Sequence, residues 1–76
     1  MKLKIYNYLQ EQKSATFGQI VDPLLDEDTS LETLIRAVSN CLSELINEQK
    51  IALVEESYLD EFDDYHAKKY YKIMSN

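Results

Sequence analysis

Five side chains able to read nucleic-acid bases recur at helical spacing in the middle of this 76-residue chain: Thr33, Arg36, Asn40, Ser43 and Asn47. Stepped at about 100° per residue from Leu31, they fall together with Glu44 on one side of a helix, opposite an apolar stripe. Arginine can bridge the two acceptors of guanine and asparagine can pair with adenine, each good bidentate contact giving about 1 to 3 kcal/mol of discrimination. Arg36 is the only arginine. The plainer reading is a solvated helix face holding the polar residues any surface holds. Further along, Lys68, Lys69 and Lys72, with Tyr70 and Tyr71 between them, suit phosphate contacts. They suit equally well the protection of an edge strand and pairing with nearby acids.

The acids oppose the nucleic-acid reading. Net charge is -6, and residues 55–64 alone hold six acids (Glu55, Glu56, Asp60, Glu61, Asp63, Asp64) with no base. A second cluster, Asp22, Asp26, Glu27 and Asp28, leaves eight bases against four acids in the remainder of the chain. Six carboxylates brought beside phosphates repel them before any base is read. Asp60, Glu61, Asp63 and Asp64 suit instead a basic protein surface, or an imitation of phosphate spacing. Leu3 and Tyr6, off the apolar side of the first helix, are a second candidate strip for a partner, or simply a flank of a small core.

Other chemistry is poorly supplied. The acidic runs lack the glycine and regular ligand spacing of a calcium loop, and His66 has no second histidine or cysteine partner for zinc. With one Gly and one His there is neither a phosphate-cradling loop nor a Ser-His-Asp arrangement. No enzyme, metal or cofactor is expected. No apolar run reaches the length of a bilayer span, residues 1–10 do not make a signal peptide, and the lone Cys41 sits on an apolar face. These features point to a soluble cytoplasmic protein.

The elements that must position these residues follow from periodicity. Residues 30–50 carry Leu31, Leu34, Ile35, Val38, Cys41, Leu42, Leu45 and Ile46 at steps of three and four, a long amphipathic helix of about 30 Å capped by Thr29 (with Glu32) or by Ser30. Residues 2–12 predict a first helix with Met1, Ile5, Tyr8 and Leu9 on one side. Lys13, Ser14 and Ala15 connect it to a second helix, which opens with the capping box Thr16-Phe17-Gly18-Gln19. Pro23 disfavours a helical Asp22, so Asp22 is expected to cap a new turn that folds Leu24 and Leu25 onto the core. Residues 51–54 read as a strand running into a polar loop, and 68–74 alternate as a second strand. The loop between them, 57–67, is long for a hairpin and is expected to form a helical turn at its base with Tyr58, Leu59, Phe62 and Tyr65. His66 is expected to be a solvated loop residue.

Ile5, Tyr8 and Leu9, then Ala15-Thr16-Phe17 with Ile20, the Leu31 to Ile46 pattern, the run Leu42-Ser43-Glu44-Leu45-Ile46-Asn47-Glu48-Gln49-Lys50-Ile51-Ala52-Leu53-Val54, and finally Lys68-Lys69-Tyr70-Tyr71-Lys72-Ile73 together resemble the winged helix-turn-helix superfamily over nearly the whole chain. The resemblance implies an α+β, mainly α fold: one domain over 1–76, with a three-helix core and a C-terminal two-stranded β-hairpin wing. It also implies that 30–50 is a recognition helix for double-stranded DNA in a small transcriptional regulator able to act as a homodimer, with Thr33, Arg36, Asn40, Ser43 and Asn47 toward the groove and Lys68, Lys69 and Lys72 toward phosphates. The chain departs from the pattern in lacking a glycine where the third helix ends, in its long acidic loop before that helix, and in its acidic wing. A protein-interaction domain that docks on a basic partner is the alternative.

Overall fold

The computed structural model describes residues 1–74. Their order is α1 (Lys2–Gln12), β1 (Ser14–Ala15), α2 (Phe17–Val21), a 3-10 turn (Asp22–Leu24), α3 (Leu31–Asn47), β2 (Ile51–Leu59) and β3 (Tyr65–Ile73). The fold is α+β, with three α-helices and one antiparallel sheet of strand order β1-β3-β2.

The core lies where α3 crosses α1 and the base of the sheet. Leu34, Val38, Leu42 and Leu45 of α3 are buried against Ile5 and Leu9 of α1, Ile20 and Val21 of α2, Ala15 and Ile51. Cys41 and Ile46 pack at the margin. Leu31 and Ile35, in the first turns of the helix, remain exposed although they lie on the same stripe. Ser30, rather than Thr29, caps α3: its hydroxyl accepts from the Thr33 amide at 3.2 Å. The capping box of α2 forms as its sequence predicts, Thr16 accepting from the Gln19 amide and Gln19 from the Thr16 amide.

Helix α3 ends at Asn47 without a glycine. Gln49 takes the left-handed conformation (φ 61°), and the amides of Gln49 and Lys50 donate to the carbonyls of Ile46 and Leu45. This is the Schellman arrangement of bonds.

Several local expectations are corrected. The sheet has three strands rather than two. Lys13 turns the chain back at φ 73° and accepts from the Ile73 amide, and Ser14 and Ala15 then pair with Lys72 and Tyr71. Asp22 is helical (φ -50°, ψ -52°) inside the 3-10 turn rather than an extended cap, and of the two leucines that follow only Leu24 packs on the core, Leu25 being exposed. The expected long loop is mostly strand. Glu55, Glu56 and Ser57 continue β2 in register with Lys69, Lys68 and Ala67, leaving only residues 60–64 between the strands. Leu59 and Tyr65 are therefore strand residues, as are Tyr58 and His66.

The hairpin reaches well beyond the core. The Cα radius of gyration is 14.0 Å, against about 11 Å for a compact chain of this length. Among the described residues, no helix is long and apolar enough to cross a membrane.

Candidate functional site

Two surfaces hold the residues of interest: the outer side of α3 and the projecting hairpin. On α3 the core-facing leucines and Val38 turn Thr33, Arg36, Asn40, Ser43 and Asn47 to solvent, all of them exposed along one side. Two are already engaged. The Thr33 hydroxyl accepts from Ser30 Oγ at 2.8 Å as part of the helix cap. Arg36 Nη2 lies 3.3 Å from Glu32 Oε1, one helical turn earlier.

The electrostatics of this helix are acidic. Against Arg36, α3 and its C-cap carry Glu32, Glu44 and Glu48. Lys2 reaches across from α1 to Glu44 (3.4 Å) and Glu48, and Lys50 stands 3.6 Å from Glu48. Hydrogen bonding to Lys2 lowers the Glu48 carboxyl below its ordinary range, and the same bond raises the Lys2 ammonium. The cations nearest this surface therefore already neutralise carboxylates. Beside them Leu3 and Tyr6 come together with Lys2, Leu45 and Lys50 around a shallow groove of about 230 Å³, and the Lys50 ammonium lies 5.4 Å from the centre of the Tyr6 ring.

On the hairpin the strand period separates the three lysines. Lys68 and Lys72 share the outer face with Tyr70, Val54 and Glu56, while Lys69 lies on the opposite face with Tyr71 and Glu55. The Lys69 ammonium is 3.7 Å from Glu55, the Lys68 ammonium lies over the Tyr70 ring, and the Tyr70 hydroxyl donates to Glu56 at 2.8 Å. That bond to a carboxylate raises the Tyr70 phenol.

The tip of the hairpin is built around Asp60. One carboxylate oxygen accepts from the amides of Phe62 (2.8 Å) and Asp64 (3.0 Å), and the other lies 2.7 Å from His66 Nε2. The His66 ring stacks on Tyr58 with centroids 5.1 Å apart. The His66 bond, followed by the backbone amides, holds the Asp60 carboxyl below its ordinary range. Asp60 is thus the clamp of the turn, and Glu61, Asp63 and Asp64 are the carboxylates left facing outward. His66 belongs to this clamp rather than to a solvated loop.

Sequence reasoning places Leu59, Phe62 and Tyr65 in a helical turn at the base of the loop; the structure exposes them at its far end instead. Leu59, Phe62 and Tyr65 are 64%, 76% and 69% exposed, with Leu59 and Tyr65 directly across the strands from each other and Phe62 in the turn beyond them. The signal is present in the chain: Asp60 two residues before Phe62 and four before Asp64 is an Asx-type turn that closes a hairpin and aims Phe62 outward. Among the described residues no group of three or more His, Cys, Asp or Glu side chains is placed to hold a metal ion. No protein-family model, no curated protein and no solved structure matches the chain.

Proposed function

We propose that this chain is a protein-interaction domain of winged-helix type that docks on a basic partner through the tip of its wing. The order of elements, three helices followed by a projecting hairpin, supports the winged-helix assignment. The observation that carries the function is the exposed trio Leu59, Phe62 and Tyr65, set among Glu61, Asp63 and Asp64 at the far end of the hairpin. Fold stability gives no reason to hold large apolar side chains in water there, whereas an interface does. The two aromatic side chains, Phe62 and Tyr65, can bury on the order of 150 to 250 Å² each, enough with Leu59 to anchor a small, transient interface. The surrounding carboxylates set the sign of the partner and speed its approach.

The test is fluorescence anisotropy with a labelled amphipathic peptide of leucine and lysine, compared with a peptide of the same composition whose order destroys the apolar face. The amphipathic peptide should bind, and the combined variant Leu59→Ser, Phe62→Ser, Tyr65→Ser should weaken it by at least about tenfold, roughly 1.4 kcal/mol. Replacing Glu61, Asp63 and Asp64 with Gln, Asn and Asn should flatten the salt dependence. Equal binding of the two peptides, or an unchanged affinity in the Ser variant, would exclude the tip as the docking site.

A second reading is supported by the five polar side chains exposed along one side of α3: binding of duplex DNA, with Lys68, Lys69 and Lys72 toward phosphates. It requires Arg36 to leave Glu32, and the carboxylates of Glu32 and Glu44 to stand beside a polyanion. This electrostatic cost places the protein-docking reading first.

A further inference from the structure

Strand β3 pairs along all nine of its residues with β2, but on its other edge with Ser14 and Ala15 alone among the described residues. The Ile73 amide donates to Lys13 on the β1 side, and the next amide, that of Met74, donates to Lys50 on the β2 side. Successive residues therefore turn their backbone groups to opposite edges. Lys69, Ala67 and Tyr65 share the parity of Ile73. Their N–H and C=O groups face the edge that β1 leaves open when the chain turns into α2 at Thr16.

In line with β1, a groove of about 280 Å³ lies beside this edge, lined by Thr16, Gln19, Glu56, Lys68 and Tyr70 among others. The strand bordering it is one-sided in charge: β3 holds Lys68, Lys69 and Lys72 and no acid. The paired edge already displays the complement, Glu55 across from Lys69 and Glu56 across from Lys68. Opposite charges across a strand pair stabilise it and like charges oppose it. The same lysines that repel a basic strand, including β3 of a second copy, favour an acidic one.

We infer that the open edge of β3 is a strand-addition site for an extended acidic peptide segment, which continues the line of β1 antiparallel to β3 and sets two adjacent carboxylates across from Lys68 and Lys69. Main-chain bonds to Tyr65, Ala67 and Lys69 supply affinity and the two lysines supply selectivity. This site adjoins the apolar tip at Tyr65, uses that residue's backbone rather than its ring, and takes a partner of opposite charge.

The probe is a fluorescein-labelled peptide of alternating threonine and valine with two adjacent glutamates at its centre, and its control carries two lysines in their place. The acidic peptide should raise anisotropy saturably and bind at least about tenfold more tightly than the control. On binding, amide exchange should slow at Ala67 and Lys69. Ala67→Pro removes an N–H that faces only the open edge and leaves the ladder to β2 intact, so it should abolish binding while preserving the circular dichroism spectrum. A peptide N-methylated on its bonding edge supplies the same test without altering the protein, and should bind at least about tenfold more weakly. Binding unaffected by Ala67→Pro in the folded variant or by N-methylation would overturn strand addition. So would equal binding of the control, unprotected amides, or no binding up to about 1 mM. Short duplex DNA that displaces the acidic peptide and binds Ala67→Pro as well as the parent would assign the lysines to phosphates, and would also overturn it.

Discussion

Gln49 holds a left-handed backbone conformation, φ 61°, in which its β-carbon crowds the neighbouring carbonyl. It stays there because two orphan carbonyls at the end of α3, those of Ile46 and Leu45, find donors only in that geometry. Glycine takes the same conformation without the crowding, so Gln49→Gly should raise unfolding stability by about 1 kcal/mol, read as a higher urea midpoint with an unchanged slope. A lower midpoint would show that the Gln49 side chain makes a contact worth more than the strain. At the hairpin tip Asp60 is the residue that titrates with consequence. Its carboxyl is held below the ordinary range by His66 and by the amides of Phe62 and Asp64, so the ionised form is the one the folded tip favours. The stabilisation is present above the unfolded-state value and is lost as pH falls through the depressed folded value. The protection of the Phe62 and Asp64 amides, measured against the intrinsic exchange rate at each pH, should fall across that acid window, and Asp60→Asn should give low protection already at neutral pH. Slow exchange persisting in Asp60→Asn would remove the carboxylate from the clamp.

At the scale of elements, helix α3 is the most legible part of the chain, because apolar residues spaced by three and four over seventeen residues fit a helix and match no strand period. The stripe overstates the buried face. Eight apolar positions lie on it, but a domain this small does not cover its N-terminal end, where Leu31 and Ile35 emerge. Leu42→Ala should therefore cost about 2 to 5 kcal/mol, much of the roughly 4 to 11 kcal/mol such a domain has, whereas Ile35→Ala should cost less than about 1 kcal/mol by thermal or urea unfolding. Comparable losses at the two positions would contradict the placement of the core. β1 is illegible because two residues cannot display an alternation. The outer halves of β2 and β3 are illegible for a different reason: exposed on both faces, they have no buried side to impose a period. There the ladder brings together residues more than ten positions apart in the chain, Glu55 across from Lys69 and Glu56 across from Lys68. At the candidate site exposure is legible, for all five polar residues of α3 face solvent as the helical period requires. Their neighbours are less so. That Arg36 lies against Glu32 is within reach of an i, i+4 rule, but that Lys2 of another helix neutralises Glu44 and Glu48 is not.

For the whole molecule, the distribution of charge matters more than its sum. The bases that could offset phosphate repulsion on the α3 side are paired with carboxylates there, and outward-facing acids and exposed apolar residues are gathered at the tip of the hairpin, in a molecule 43 Å long. A polyanion meets an acidic surface at either place, while a basic amphipathic partner meets a complementary one at the tip. The most direct measurement is a two-dimensional amide NMR titration of the labelled protein at about 50 mM and 200 mM salt, once with the amphipathic basic peptide and once with mixed-sequence duplex DNA. The docking account predicts that the peptide shifts Leu59, Glu61, Phe62 and Tyr65 and leaves Arg36, Asn40 and Asn47 in place, and that the duplex shifts neither set at the lower salt. Shifts along Arg36, Asn40, Ser43 and Asn47 on adding duplex, fading at the higher salt, would contradict it and establish α3 as the working surface.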